Sequence, residues 1–238
     1  MKKRVTGYRE QARGNSPIPC SLFPLCHLLF AIRILLVVAS LLVCVARFVA
    51  QETGPARDEW QRPQEVMDVL GIKAGSTVAD VGCGSGYFTF KLAQRVGREG
   101  KVYAEDIDEE EVAGIRRRAE DEGLIQVRPL VGAADDPRLP AASLDVALVV
   151  NSYHEWREYD KMLRHLLDAL KAGGLLAIID GVADPGKPRT EYYSHHRMPE
   201  DVVREEAARA GFRFLRNEPG FIRPDQKKDF YFLIFVKP

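Results

Sequence analysis

The sequence predicts an α/β protein: a doubly wound, seven-stranded, mostly parallel sheet with an antiparallel edge strand. Three observations lead there. Seven short apolar runs recur between Val78 and Val236, and stretches with apolar residues at helical spacing separate most of them. The first run ends in the turn Gly82-Cys83-Gly84-Ser85-Gly86, which opens directly into a helical pattern. The last two runs, Phe212 to Arg216 and Phe230 to Val236, close the chain as an antiparallel pair at the sheet edge. At 238 residues, 46% of them hydrophobic, the chain suits one such domain plus an appendage.

The appendage comes first. Residues 1 to 50 hold Lys2, Lys3, Arg4, Arg9, Arg13, Arg33 and Arg47 against Glu10 alone, so with a net charge of +0 the remainder carries the matching acidic excess. An acidic domain offers no field for nucleic acid. Ile34 to Val45 is an unbroken apolar or small run whose basic flank lies mostly on its N-terminal side. That length suits the apolar core of a signal peptide, whereas residues 28–50, with Arg33 snorkelling, are long enough for a single membrane anchor. The expectation is an exported or membrane-anchored domain, or a cytoplasmic one if the anchor is inverted or translation starts elsewhere. Cys20, Cys26 and Cys44 lie in this head, which leaves Cys83 as the one thiol of the domain and no internal disulfide.

Residues 51–63 are polar, with Gly54, Pro55 and Pro63, and read as a linker, so the domain proper is 64–238. Gln64 to Leu70 is a short helix stopped by Gly71. Trp60 reads as an aromatic plug at the domain edge. Val78, Ala79 and Val81 form the first buried strand, closed by the glycine turn, and Tyr87 to Val96 is the helix that follows. The turn lacks the glycine spacing of a dinucleotide site, since Tyr87 and Thr89 stand at the sixth positions. It also lacks the Gly-Lys-Ser/Thr of a phosphate-cradling loop.

What remains, Asp80-x-Gly82-x-Gly84-x-Gly86, resembles motif I of the class I S-adenosylmethionine (SAM) dependent methyltransferases. The resemblance spans residues 55 to 238. It implies the Rossmann-like methyltransferase fold, SAM as cofactor, a small-molecule acceptor, and cofactor contacts from Asp80, Gly82, Cys83, Gly84 and Gly86. Cys83 reads as a small residue tolerated in a tight loop, not as a nucleophile.

Lys101 to Ala104 is the second strand, and an acid at its end should accept hydrogen bonds from ribose hydroxyls. The family's Val-Asp-Ile pattern points to Asp106, with Glu105 as competitor. Asp108 to Glu111 start the next helix, where carboxylates favour the positive end of the dipole. Gln126 to Val131 is the third strand. After it the family commonly places an Asp that meets the adenine amino group, but Ala133 stands there, so Asp135 or a backbone N–H must serve.

Asp145 to Val150 is the fourth strand and ends in Asn151-Ser152-Tyr153-His154-Glu155-Trp156. Side chains at the carboxyl end of such a strand face the ligand. The segment resembles the Asp-x-Tyr-His-His of small-molecule methyltransferases, with Asn151 for the acid and Glu155 for the second histidine. The resemblance implies catalytic roles for His154, as the base where the acceptor must lose a proton, and for Tyr153, orienting a hydroxyl or lining the pocket, and a cofactor contact from Asn151; the other reading of His154 and Tyr153 is capping and packing at the strand exit. Tyr159 to Ala172 reads as a helix and Leu175 to Ile179 as the fifth strand, ending at Asp180. Asn151 and Asp180 offer too few hard oxygen ligands for Mg²⁺, and the adjacent His195 and His196 diverge, so no metal is expected. Residues 181–198 form a long loop suited to a substrate wall, with His196 and Arg197 facing the substrate. Pro199 to Ala210 is the last helix. Ala133 and Asn151, both departures from the family pattern, motivate two other readings: a SAM- or nucleoside-binding protein without chemistry, or a membrane-tethered interaction module.

Overall fold

The computed structural model describes Arg33, residues 55–218 and residues 229–238. Apart from Arg33, the expected signal or anchor segment lies outside the described residues, among which no helix is long and apolar enough to cross a membrane. The chain divides into two units, Met1–Glu52 and Thr53–Pro238, and the second contains the whole sheet.

Seven strands form this sheet in the order β3-β2-β1-β4-β5-β7-β6. They are β1 Thr77–Val81, β2 Lys101–Asp106, β3 Val127–Val131, β4 Leu144–Val150, β5 Leu170–Gly181, β6 Arg213–Asn217 and β7 Phe230–Val236. The pairs among β1 to β5 are all parallel, and β7 runs antiparallel to both β5 and β6. The reversed strand therefore sits one place in from the edge. Within residues 55–238 the described α-helices are α1 Pro55–Gln61, α2 Pro63–Val69, α3 Tyr87–Val96, α4 Glu109–Asp121, α5 Tyr159–Ala169 and α6 Glu200–Ala210.

Alternation along the strands explains why both faces are covered. On β4, Val146 and Leu148 join Val66, Met67, Phe88, Phe90, Leu92 and Ile115 in one core, while Ala147 and Val149 join Leu163, Leu166 and Val203 in the other. On β7, Phe232 and Ile234 face the first core, and Leu233 and Phe235 the second. Each of these large side chains contributes about 1.5–3 kcal/mol on burial, which offsets the entropy of ordering the strands. A sheet buried on both sides needs apolar residues at consecutive positions, as its central strands have.

Two local differences from the sequence reading have simple causes. The stretch read as a linker contains α1, whose Trp60 packs on Phe230 with ring centroids 5.4 Å apart. Helix α5 ends at Ala169, not Ala172, because Leu170 already pairs with Leu144 before the register shifts to Val146 and Leu175. Gly173, at φ 77, lets the chain make that irregular step.

The chain winds outward from β1 through β2 to β3, then returns to β4 on the other side of β1. The crevice at the carboxyl ends of β1 and β4 is the topological switch point, where open α/β sheets bind their ligands.

Candidate active site

A cleft of about 440 Å³ opens at that switch point, lined by Gly82, Gly84, Glu105, Asp106, Ile107, Ala133, Ala134, Asn151, Ser152, Glu155, Trp156, Arg157 and Met162. Its volume is in the range of small-molecule sites. The loops after β1, β3 and β4, the end of β2 with Ile107, and Met162 of α5 supply it.

The glycine turn is shaped by contacts that a side chain would break. Gly82 has φ +68, and a Cβ there would lie 2.5 Å from Ser152 Oγ and 2.6 Å from Ser152 Cβ. Gly82 and Cys83 both donate their N–H groups to Glu105 O at 2.9 Å, which ties the turn to the end of β2. Gly84 donates its N–H to Asp106 Oδ2 at 2.7 Å, and Asp108 donates to Asp106 Oδ1 at 3.0 Å. The Asp106 carboxylate is thus fixed through both oxygens at the cleft wall. Gly86, at φ +83, opens α3, where Phe90 and Ile115 leave no room for a Cβ.

Asp80 stands beneath the turn rather than in the cleft lining. It is buried, and its Oδ2 accepts a 2.6 Å bond from Thr89 Oγ1, so it joins β1 to α3. Burial pushes its pKa up to about 6, with the Thr89 bond opposing the shift. The Cys83 thiol is also raised by burial and then by the acids around it, so it is not a thiolate nucleophile.

Glu105 lies within the cleft lining and is only 3% exposed. Its pKa is pushed up to about 8, first by burial and then by the neighbouring charges of Asp106, Asp80 and Asp136, against a hydrogen bond from Gly82 N–H. The native chain therefore holds a proton that the unfolded chain, near 4.5, releases. Stability falls as pH rises from about 4.5 to 8 and levels off above. Replacing Glu105 by Gln removes this penalty: the variant is expected to match the wild type at pH 5 and to melt several degrees higher at pH 9, by differential scanning calorimetry without ligand. A constant difference across that range would contradict the buried, protonated Glu105.

Beyond β3, Ala133 N–H bonds Asp136 O at 2.8 Å, while Ala133 and Ala134 line the cleft. Asp135, expected at the adenine, pairs instead with Lys161 Nζ at 3.3 Å and is not among the lining residues. Asn151 does line the cleft and adopts φ 55, a left-handed conformation that Asn tolerates better than most residues.

The segment after β4 is a 3₁₀ turn, Tyr153–Glu155, and it sends its side chains apart. Tyr153 is fully buried, and its hydroxyl donates to Glu206 Oε2 at 2.6 Å, away from the cleft lining. Arg189 Nε donates to Glu206 Oε1 at 2.7 Å, and its Nη1 to Trp156 O at 2.7 Å. Tyr153 thus belongs to a buried network that fixes the loop after β5 on α6. His154 is also fully buried, between Asp180 and His196: its Nδ1 lies 2.9 Å from Asp180 Oδ1, and its Nε2 lies 3.0 Å from His196 Nδ1. Burial alone would lower its pKa, but the Asp180 and Glu155 carboxylates raise it to about 9. His196, at φ 51, is turned back toward β5 by the bridge between Val182 and Met198. Glu155 Oε1 lies 3.7 Å from His154 Nε2 and 3.9 Å from His196 Nδ1.

The structure therefore brings Gly82, Gly84, Asp106 and Asn151 to one cleft, with Asp80, Cys83 and Gly86 supporting its turn. Glu105, the competitor in the sequence, joins Asp106 there. The His154–His196 contact has no sequence signal, since 42 residues separate the two rings.

A family model described as "Methyltransferase domain" matches residues 78–174. The ubiquinone/menaquinone biosynthesis C-methyltransferase UbiE of Yersinia pestis is 27% identical over 174 residues, covering 71% of this chain and 67% of the relative. A SAM-dependent methyltransferase from Aquifex aeolicus superposes with a TM-score of 0.67 at 29% identity, covering 81% of this chain and 98% of that one. Phosphoethanolamine N-methyltransferase 2 of Haemonchus contortus, solved with SAM, shares the fold with a TM-score of 0.60 at 18% identity, covering 75% of this chain and 53% of that one.

Proposed function

We propose that this chain, a SAM-dependent methyltransferase, transfers the methyl group to a small-molecule acceptor that enters the cleft beside Glu155, Trp156 and Arg157. The observation that carries the reading is the Asp106 carboxylate, held by Gly84 N–H at 2.7 Å on the wall of a cleft at the switch point. An acid so placed accepts hydrogen bonds from ribose hydroxyls. The glycine turn leaves backbone free of side chains next to it, and the Asp106 carboxylate gives the floor an acidic group suited to a cationic ligand. These features fit SAM, and Gly82, Gly84, Asp106 and Asn151 are the residues that would hold it.

When bound, the sulfonium supplies an activated methyl group, so the protein's task is alignment and exclusion of water. The 3₁₀ turn after β4 places Glu155 and Trp156 at the cleft wall, with the His154–His196 pair next to Glu155. Arg157 lines the same end and suits an acceptor with an anionic or strongly polar group.

The test is turnover: methyl-labelled SAM is incubated with the full chain and a panel of phenols, amines, quinols and carboxylates, and formation of S-adenosylhomocysteine is followed. Acceptor-dependent product is expected for at least one small-molecule class. Methylation of added proteins or nucleic acids alone would contradict the reading.

A further inference from the structure

His196 converges on His154 and Glu155, which are adjacent in the 3₁₀ turn after β4. The donor atoms of the three stand 3.0, 3.7 and 3.9 Å apart. Three ligands around a tetrahedral ion, each about 2.0–2.1 Å from it, stand roughly 3.3 Å from one another. The observed triangle brackets that figure. We infer that His154 Nε2, His196 Nδ1 and Glu155 Oε1 form a binding site for a divalent transition-metal ion of the zinc class.

The surroundings are those of a built ligand set. Asp180 is fully buried; its Oδ2 accepts the His154 N–H at 3.0 Å and its Oδ1 the Gly181 N–H at 2.7 Å. Both its oxygens also face His154 Nδ1, at 2.9 and 3.0 Å. A carboxylate fixed in this way accepts a hydrogen bond from Nδ1–H and leaves the Nε2 lone pair to the ion, the usual carboxylate–histidine–metal arrangement. The His154 ring has no solvent to turn toward, since it is fully buried. His196 reaches it only through a left-handed backbone that few residues adopt, in a loop pinned by Met198 N–H to Gly181 O at 2.9 Å. A Cβ on Gly181 would lie 3.0 Å from His196 O, so the small residue at that position permits the approach.

Two imidazoles and one carboxylate select zinc-like cations over Mg²⁺ or Ca²⁺, which take oxygen ligands. Three protein ligands leave a coordination position open, as in catalytic rather than structural sites. Glu155 lines the cleft, so that position faces the acceptor end. Binding an acceptor oxygen or nitrogen there rests on the proposed reaction; binding of the ion itself does not.

The test is titration of the chelator-treated full chain with Co²⁺, read by its visible d–d absorption, and with Zn²⁺ in competition. Intense bands of a tetrahedral nitrogen and oxygen site are expected, displaced by Zn²⁺. His196→Ala and Glu155→Gln, both at exposed positions, are each expected to weaken binding about 100-fold or more, and Asp180→Asn about 10–100-fold. His195→Ala, one residue away, is expected to leave it unchanged. Cobalt–thiolate charge-transfer absorption, affinity untouched by His196→Ala and Glu155→Gln, or no binding below millimolar metal would each overturn the site. Loss of metal binding with turnover intact would remove only the acceptor role.

Discussion

SAM and S-adenosylhomocysteine are expected to raise the Tm of the wild-type chain, and Asp106→Ala is expected to abolish that rise with the fold intact. The carboxylate has two tasks. It positions Gly84 through the 2.7 Å bond, and in the proposed cofactor site it would offer charge-assisted acceptors to a ribose. Each hydrogen bond to a charged group is worth about 1.5–3 kcal/mol, so losing two weakens binding by roughly 100-fold or more. Ligand at 100 times its Kd stabilises the native state by about 2.7 kcal/mol, and nearly all of that disappears when Kd rises so far. Thermal shift and calorimetric titration check it. Because the side chain is partly exposed, the Tm without ligand should fall little. An unchanged ligand-induced shift would move the cofactor elsewhere.

Glu206→Ala is expected to destabilise the chain more than Asp106→Ala or Glu105→Gln. Glu206 is 2% exposed and accepts both the Tyr153 hydroxyl and Arg189 Nε. Its removal leaves the Arg189 cation in a low-dielectric pocket, where Nη2 already has no hydrogen-bond partner. Breaking such a pair from one side costs about 3–5 kcal/mol, a fall in Tm on the order of 10 °C for a domain of this size. Urea unfolding should show the lower midpoint with an unchanged m-value. The double variant Glu206→Leu with Arg189→Met, which removes both charges, should recover part of the loss. A loss below about 1 kcal/mol for Glu206→Ala would show that the network carries little stability.

The fold is legible in the sequence because its signals are local. Val78, Ala79 and Val81 form a short apolar run, Gly82, Gly84 and Gly86 punctuate the turn after it, and Tyr87 to Val96 repeats at helical spacing. The structure sets these residues as β1, the turn and α3. The capping carboxylate is equally local: Asp108 accepts from Glu110 and Glu111 N–H at the start of α4. The end of α5 falls three residues earlier than helical spacing predicts because Leu170 is drawn into pairing with Leu144, a tertiary contact that propensity does not register.

The site is legible only where one strand end supplies it. Asp106, the last residue of β2, and Asn151, the first after β4, reach the cleft lining from strand ends visible in the sequence. The sequence predicts that Tyr153 and His154 point together at the acceptor, but the 3₁₀ turn sends one hydroxyl to Glu206 and one ring to Asp180. Glu206 and Arg189 leave no trace because nothing in a helix or loop pattern marks a charge as buried. His196 is visible as a polar loop residue, yet its partner is set by a backbone bridge between Val182 and Met198 that sequence spacing does not reveal.

The proposed methyl transfer requires SAM in the cleft between the glycine turn and the ends of β2, β3 and β4. Hydrogen–deuterium exchange of the full chain, with and without S-adenosylhomocysteine, reads that placement most directly. Ligand-induced protection is expected in peptides covering Gly82–Ser85, Glu105–Asp108 and Ala133–Ala134, with β6 and β7 unchanged. Protection absent from the glycine turn, or centred elsewhere in the domain, would contradict it.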